Sequence, residues 1–238
     1  MKLDVLAIVA HPDDAELGAG GLLYKLTQEG KKIGIIDLTE GELGSRGTVT
    51  SRYNEANISG EILGISIREN LQMGDGFIEE TQENLLKIIS KIRQYQPEII
   101  ITNSISDRHP DHGRASKLVS RASFLSGLVK IETRLNDNSQ EKYRARVVYH
   151  FIQDRYIEPD FVVNISNQFE TKMKAILAYK TQFFNPNSKE PSTPISGQDF
   201  LDFVEARAIE FGRQNGFKYA EGFTVEKTIG VENIFELK

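Results

Sequence analysis

The feature that most constrains the fold is a series of short apolar runs separated by helix-length segments. Residues 3–9, 33–38 and 98–103 are runs of this kind, rich in Val, Ile and Leu. A continuous apolar run is typical of a strand that is buried on both faces, as in a parallel sheet. Segments with apolar residues at helical spacing follow the first two runs and are closed by Gly30 and Gly64. The sequence therefore predicts an α/β fold, a single Rossmann-like domain with a mostly parallel sheet.

The predicted elements extend along the whole chain. Further strands are predicted at residues 65–71, 146–151 and 161–165. Helices are predicted at residues 16–29, 52–63, 84–95, 112–125, 168–183 and 198–211. Loops are predicted at residues 40–51, at the polar segment 135–142, and at 185–197, which holds three prolines. Because no internal repeat or linker interrupts this order, one domain is expected over residues 1–238.

Composition excludes several kinds of chemistry. The chain has no Cys, which rules out disulfides, thiolate zinc sites and Cys nucleophiles, so a metal would need His, carboxylate, carbonyl or water ligands. Its 29 basic and 34 acidic residues give a net charge of −5 without a basic cluster, so a nucleic-acid partner is not expected. No apolar stretch approaches the ~20 residues of a membrane span. The protein is therefore expected to be cytoplasmic, with no membrane partner.

Two copies of the tripeptide His-Pro-Asp stand out, at residues 11–13 and 109–111, in a chain with only four His. One copy alone is most often a turn that caps a helix. Here each copy directly follows a predicted buried strand, and ligands of open α/β sheets bind outside the carboxyl ends of the strands. In the strand order 3-2-1-4-5, the first and fourth strands are neighbours. The sequence therefore predicts that residues 11–14 and 109–112 meet in an active site.

The residue types of the two motifs point to a metal centre. Catalytic zinc takes three ligands from His and Asp or Glu and leaves one position for water. His11, Asp14 and His112 form such a set, which leaves Asp13 as a candidate general base. Other assignments of His and Asp within the cluster stay open. The metal also stays open between zinc (Zn²⁺) and another divalent ion such as Fe²⁺, because His and Asp ligands accept several.

Further polar residues near the predicted strand ends suggest supporting roles. His109 and Asp111 would form a His–carboxylate pair in which the Asp orients the ring. Arg46 and Arg52 lie in or just after the loop that follows the second strand, where a guanidinium would bind a substrate carboxylate through two hydrogen bonds. His150 closes another predicted strand, and a lone His at that position is more often structural.

The two motifs together resemble the zinc-dependent N-deacetylases of the LmbE-like (PIG-L) family. They read Ala-His-Pro-Asp-Asp at residues 10–14 and His-Pro-Asp-His-Gly at residues 109–113. Residues 37–48, 107–109 and 151–161 are similar to the bacillithiol-biosynthesis branch of that family. Some members have Glu directly after the two aspartates, whereas this chain has Ala15 before Glu16. That departure concerns the branch rather than the activity, since this Glu is not among the proposed ligands.

The resemblance implies both a reaction and a role for each motif residue. It implies zinc at the positions of His11, Asp14 and His112, the general base at Asp13, and oxyanion stabilisation by His109. The implied reaction removes acetate from an N-acetylglucosamine conjugate, a small-molecule partner. N-acetylglucosaminyl malate of bacillithiol biosynthesis is the expected substrate, and a homo-oligomer is the expected assembly.

Three alternatives are open at the level of sequence. One is that the substrate is another N-acetylated sugar. A metallo-phosphoesterase would use the same residue types, but its two-metal site needs more ligands than these motifs supply. A non-catalytic nucleotide-binding Rossmann domain is suggested by Gly18-Ala19-Gly20-Gly21, although these residues do not form Gly-x-Gly-x-x-Gly between strand and helix.

Overall fold

The apolar runs of the sequence form the centre of a seven-stranded sheet. In the computed structural model, which describes residues 1–236, every residue of the first two strands is buried. The strands are β1 (Val5–Val9), β2 (Ile33–Thr39), β3 (Ile67–Met73), β4 (Ile99–Thr102), β5 (Arg134–Leu135), β6 (Asn138–Ser139), β7 (Val147–Phe151), β8 (Phe161–Asn164) and β9 (Ala220–Val225). The helices are α1 (Asp14–Gln28), α2 (Val49–Leu63), α3 (Gln82–Tyr95), α4 (Pro110–Ser126), α5 (Phe169–Leu177) and α6 (Gln198–Arg213). The fold is the predicted α/β class with a mostly parallel sheet.

The strand order places β1 and β4 side by side, as the sequence predicts. The sheet runs β3-β2-β1-β4-β7-β9-β8, and β5 and β6 form a separate small hairpin. Val5 of β1 aligns with Ile33 of β2 and with Ile99 of β4, and all three strands are parallel. The carboxyl ends of β1 and β4 therefore lie together, which brings the segments that follow them to one edge of the sheet.

Successive residues of β1 pack against opposite layers of helices. Leu6 and Ile8 belong to the core that includes the apolar faces of α3 and α4. Val5 and Ala7 belong to the core on the other face, which α1 covers with Ala15, Ala19 and Leu23. Since alternate side chains of a strand point to opposite faces, a strand that is apolar at every position must be covered on both sides.

The structure differs from the sequence prediction in the last third of the chain. Strand β9 was not predicted, because Glu221 and Gly222 interrupt its apolar pattern. It lies between β7 and β8, pairs antiparallel with both, and so extends the sheet beyond its parallel part. Helix α5 ends at Leu177, six residues before the predicted end, and the predicted loop at 135–142 contains part of the β5–β6 hairpin.

A buried ion pair explains why β9 tolerates a Glu. Both carboxylate oxygens of Glu221 accept hydrogen bonds from α1, at 2.8 Å from the amide nitrogens of Gly21 and Leu22. Lys172 Nζ donates to Glu221 Oε1 at 2.7 Å and to the Leu17 carbonyl at 2.8 Å. In a regular helix the Gly21 amide donates to the Leu17 carbonyl. Here the Glu221 carboxylate accepts from that same amide and the Lys172 ammonium donates to that same carbonyl. Both buried charges therefore have hydrogen-bond partners.

Candidate metal centre and active site

The two His-Pro-Asp motifs meet at the carboxyl ends of β1 and β4. Three imidazole rings cluster there: the ring centroid of His11 lies 4.6 Å from that of His109 and 5.5 Å from that of His112. His109 is the N-cap residue of α4, with Pro110 in the first turn, so the second motif starts this helix as its Pro predicts. The structure thus brings together residues that are about a hundred positions apart in the sequence.

Asp14 lies between two of these histidines. Its Oδ2 is 3.3 Å from His11 Nδ1, and its Oδ1 is 3.2 Å from His112 Nε2. Two amide side chains fix the carboxylate: Asn103 Nδ2 donates to Oδ2 and Gln153 Nε2 donates to Oδ1, each at 3.0 Å. Burial would raise the pKa of Asp14, but the nearby histidines hold it well below its ordinary range. The carboxylate is therefore ionised and held in one orientation.

His112 is oriented by a carboxylate that sequence reasoning did not identify. His112 Nδ1 lies 2.7 Å from Asp107 Oδ2, and the backbone amides of Arg108 and Arg155 also donate to Asp107. Because a carboxylate only accepts, Nδ1 carries a hydrogen, and Nε2 is the ring nitrogen that would bind a metal after losing its proton. Burial lowers the pKa of His112, but Asp14 and Asp107 on either side of the ring raise it to about 9. Metal-binding histidines commonly have such a carboxylate behind them. The available signal was an Asp in the loop just before the second motif.

The Asp111 carboxylate faces His11, which corrects its predicted pairing with the His109 ring. Asp111 Oδ2 accepts a hydrogen bond from the Gly76 amide at 2.7 Å and lies 3.5 Å from His11 Nε2. Asp75, which the sequence analysis did not single out, lies 3.2 Å from the same nitrogen. Among the described residues this buried nitrogen has no partner with hydrogen-bond geometry. His11 Nε2 therefore faces two buried carboxylates, and His11, Asp75 and Asp111 form a second group of converging donor atoms.

His109 is oriented by the backbone of its own helix. Its Nδ1 accepts from the backbone amide of Asp111 at 3.3 Å, so the hydrogen of the neutral ring is on Nε2. Burial and the charges of His11 and His112 lower the pKa of His109, which favours that neutral form. The ring is partly exposed to the cavity described below. His109 therefore offers an N–H donor beside the other two histidines.

Asp13 has a strained backbone and a buried side chain. Its φ is 115°, in the left-handed region that a non-glycine residue rarely adopts, and it is only 4% exposed. Strain of this kind costs about 1–3 kcal/mol and is found mainly at functional sites. Burial raises the pKa of Asp13 to about 7, against the opposing charge of Arg52. The conformation turns the Asp13 carboxylate toward the same cavity as Asp14.

Neither of the two predicted carboxylate-binding arginines has a free guanidinium in the structure. Arg52 Nη2 donates to Asp13 Oδ2 at 2.7 Å and to the Pro12 carbonyl at 3.0 Å. Arg46 donates to the carbonyls of Thr181 and Pro191 and to the Ser188 hydroxyl. Both side chains are more than nine-tenths buried, and a buried charge requires partners of this kind. The structure therefore gives Arg52 a contact with Asp13, and Arg46 a role in holding the loop at residues 181–191.

His150 lies in β7 and contacts residues on neighbouring elements. Its Nδ1 lies 2.9 Å from Ser116 Oγ and 3.1 Å from the Asn103 carbonyl, while its Nε2 lies 3.2 Å from Glu226. Since Asn103 also fixes Asp14, His150 helps to hold the strand end that carries this amide.

The arrangement fits a divalent metal. His11, His109 and His112 each offer a ring nitrogen, and these nitrogens lie within 4.8 Å of one another. The Asp14 carboxylate lies between His11 Nδ1 and His112 Nε2, so one carboxylate and two ring nitrogens converge at the proposed position of the metal. Nitrogen and carboxylate donors without thiolates suit zinc and other borderline divalent ions. The choice of third ligand between Asp14 and His109 stays a prediction.

Comparison with known proteins identifies the family of the chain. The PIG-L family model, described as GlcNAc-PI de-N-acetylase, matches residues 6–123, which include both motifs. The chain also shares 33% identity with the conserved protein TT1542 of Thermus thermophilus. That structure superposes with a TM-score of 0.86 over 96% of this chain and 97% of the other. The chain belongs to the PIG-L family.

Two relatives are named for deacetylation of amino sugars. This PIG-L chain is 28% identical over 229 residues to the diacetylchitobiose deacetylase of Thermococcus kodakarensis, covering 92% of this chain and 81% of that protein. It is also 28% identical over 195 residues to the probable N-acetyl-alpha-D-glucosaminyl L-malate deacetylase 2 of Bacillus cereus, covering 76% of this chain and 84% of that protein. Within residues 1–236, no helix is long and apolar enough to span a membrane.

The histidine cluster of this PIG-L chain lines a cavity of about 440 Å³. The cavity is also lined by Asp75, Arg108 and the loop at 43–46. Helix α6 and the start of β9 line it as well, and Thr193–Ile195 contribute from the loop that the sequence predicts at 185–197. The candidate metal ligands thus open into a space large enough for an organic substrate.

Proposed function

We propose that this protein is a metal-dependent amide hydrolase that removes the acetyl group from an N-acetylated amino sugar. The observation that carries the proposal is the His and Asp cluster, with the strained Asp13 beside it, at the base of a substrate-sized cavity in a PIG-L chain. The reaction adds water to the amide and releases acetate and a free amine.

Four residues would hold and orient the metal. His11, Asp14 and His112 are the proposed ligands, and Asp107 orients His112 from behind. When bound, a divalent ion supplies Lewis-acid activation of the amide carbonyl and of the attacking water. We propose zinc for this position, with Fe²⁺ as the main alternative, because the donor atoms accept both.

Asp13 would act as the general base. Arg52 binds its Oδ2, which leaves Oδ1 for a water molecule in the cavity. Asp13 takes one proton from that water as the water oxygen attacks the carbonyl carbon of the acetamide. It then returns the proton to the nitrogen of the leaving amine as the C–N bond breaks, so the base is regenerated.

His109 would stabilise the charge that develops on the carbonyl oxygen. A ring nitrogen of His109 lies within 4.8 Å of ring nitrogens of His11 and His112, and with Nδ1 bonded to the backbone the Nε2–H would donate to the acetamide carbonyl beside the metal ligands. A donor that is already oriented toward this oxygen lowers the barrier without reorganisation during the reaction.

Amino-sugar conjugates are the substrate class that the relatives support. N-acetylglucosaminyl malate is the specific substrate expected from the sequence, and its support is the 28% identity to the Bacillus cereus protein. Diacetylchitobiose has support of the same kind from the Thermococcus kodakarensis enzyme. A cytoplasmic location and a homo-oligomeric assembly stay predictions from sequence.

The proposal is tested by measuring metal content and product release on the purified protein. We expect about one divalent ion per chain and amine release from at least one of N-acetylglucosamine, diacetylchitobiose and N-acetylglucosaminyl malate. Asp13→Asn should keep the metal and lose about 10²–10⁴-fold in rate, while Asp137→Asn, at an exposed position in a turn, should change neither. Full metal occupancy without release of amine from any of the three would refute the proposal.

A further inference from the structure

We propose that strand β8 is the interface of a symmetric dimer, in which the β8 strands of two copies of this chain pair antiparallel and join their sheets. The proposal assigns a surface to the homo-oligomer that the sequence predicts, and it does not depend on the proposed reaction. It rests on the open edge of β8, on a groove beside that edge, and on the charges at the two ends of the strand.

Strand β8 is the last strand of the sheet and has a neighbouring strand, β9, on one side only. Directly after β8, the Ile165 amide donates to the Tyr219 carbonyl at 3.0 Å. Backbone groups of an antiparallel strand face a given neighbour at every second residue, so residues 161 and 163 also face β9. The N–H and C=O groups of Val162 and Asn164 therefore point away from the sheet.

These outward groups are almost without partners among residues 1–236. The Asn164 carbonyl accepts a hydrogen bond from Lys25 Nζ at 3.4 Å, whereas the Asn164 amide and both backbone groups of Val162 have no protein partner. Edge strands are commonly protected from pairing by Pro or by charged side chains. Strand β8 itself, with the sequence Phe-Val-Val-Asn, has neither. Its free donors and acceptors therefore form a template for another strand.

A groove of about 580 Å³ lies beside this edge. It is lined by residues 158–164, by the carboxyl-terminal end of α6 with the turn that follows, and by Lys25. Paired strands lie about 4.8 Å apart, so a second strand would occupy the space next to Val162. The edge of β8 thus faces a groove rather than a packed helix or loop.

The charges at the two ends of β8 are opposite in sign. Glu158 and Asp160 are exposed just before the strand, and Lys25 lies at its other end, on the Asn164 carbonyl. A two-fold axis at Val162 places Asp160 of one copy opposite Asn164 of the other, and hence beside the Lys25 of that copy. Symmetry makes this contact twice. Two strands that ran parallel in register would instead bring Asp160 against Asp160, which is unfavourable.

The same axis makes Val162 its own partner. The two Val162 residues would exchange both of their N–H···O=C bonds, as an antiparallel hydrogen-bonded pair does. Because four-residue strands bury a small area, we expect a weak and reversible dimer.

A cross-linking experiment tests the axis directly, since the natural chain has no Cys. The Cα atoms of a hydrogen-bonded antiparallel pair are about 5.5 Å apart, which is within the range of about 4.4–6.8 Å that a disulfide spans. Oxidation of Val162→Cys by copper phenanthroline should therefore give a dimer on a non-reducing gel. Ile209→Cys, at a 46% exposed position of α6, is the control and should stay monomeric on the gel. A Val162→Cys protein that melts like the natural chain and forms no cross-link would overturn the proposal.

A charge reversal tests the register without changing β8. Lys25→Glu places a negative charge beside Asp160 of the other copy, and it should raise the Kd of the dimer at least tenfold in sedimentation velocity. The double variant Lys25→Glu/Asp160→Lys restores opposite charges and should recover part of the affinity. Lys174→Glu makes the same charge change at an exposed position of α5 and should leave the Kd unchanged.

Three results would overturn the proposed interface. The first is a natural chain that stays monomeric at every concentration tested. The second is an assembly whose mass and Kd are the same in a folded Lys25→Glu variant, because another surface must then hold it together. The third is a double variant as weak as Lys25→Glu, because the two charges then do not meet. None of these results depends on whether the protein deacetylates an amino sugar.

Discussion

The contact between Arg52 and Asp13 leads to a prediction that separates two roles for this arginine. The sequence suggests that Arg52 binds a carboxylate of the substrate, whereas in the structure its Nη2 lies 2.7 Å from Asp13 Oδ2. We therefore expect Arg52→Ala to lower the rate on every substrate, because the variant releases the proposed base from its fixed position. If Arg52 bound a substrate carboxylate instead, only substrates that carry a carboxylate would lose rate.

The size of the effect follows from the bonds that are lost. A hydrogen bond to a charged group contributes about 1.5–3 kcal/mol, and this bond holds Asp13 in a strained conformation with a φ of 115°. Loss of that positioning corresponds to about tenfold to a hundredfold in kcat. Arg52→Lys should recover only part of the rate, because one ammonium cannot replace the planar fork that reaches both Asp13 and the Pro12 carbonyl.

The assay compares N-acetylglucosamine with N-acetylglucosaminyl malate for the natural chain and both variants. We expect equal fold losses on the two substrates, located in kcat rather than in KM. Arg134→Ala, at an exposed position, serves as the control, and thermal melts show whether the chains remain folded. A loss confined to the malate substrate, and located in KM, would refute the positioning role and restore the carboxylate-binding role that the sequence suggests.

Three further predictions concern the metal and the fold. His112→Ala should lose metal and activity together without unfolding, since a core of this size does not need a metal to fold; circular dichroism and metal analysis check this, and an unfolded variant would contradict it. Asp107→Asn should weaken metal affinity about 10–100-fold, as loss of an orienting carboxylate does, and competition with a chelator measures it; unchanged affinity would mean that Asp107 does not orient His112. Glu221→Gln should lower the free energy of unfolding by about 3–5 kcal/mol, because it leaves the buried Lys172 without its counter-charge. A urea midpoint equal to that of the natural chain would show that the ion pair does not stabilise the fold.

The positions of the motifs could be predicted because they depend on local patterns. A strand that is apolar at every position indicates burial on both faces, and the residue after its last apolar position lies at the sheet edge. Together with the strand order 3-2-1-4-5 of a Rossmann-like fold, this pattern predicts from the sequence that His11 and His109 are neighbours, as they are in the structure. The metal and base roles assigned within that cluster stay predictions.

The partners of long side chains could not be predicted in the same way. Arg46 lies at a strand-end loop as expected, but its partners belong to residues 181–191, whose path depends on how α5 and α6 pack. Gln153, which fixes Asp14, follows β7, and nothing in the local sequence marks it as a site residue. Strand β9 was missed because a Glu is ordinarily read as solvent-exposed, and only the tertiary contact with Lys172 makes its burial favourable.

The ion pair of Lys172 and Glu221 also orders events during synthesis of the protein. Glu221 is 200 residues from Gly21 in the sequence, and Lys172 is 155 residues from Leu17. Contacts this distant form only after the intervening chain has left the ribosome. They also form slowly, because closing so long a loop costs chain entropy before the contact contributes any stability. Helix α1, which begins with Asp14, therefore emerges long before α5 and β9, and its Leu17 carbonyl and Gly21 and Leu22 amides gain these side-chain partners only after both have been made.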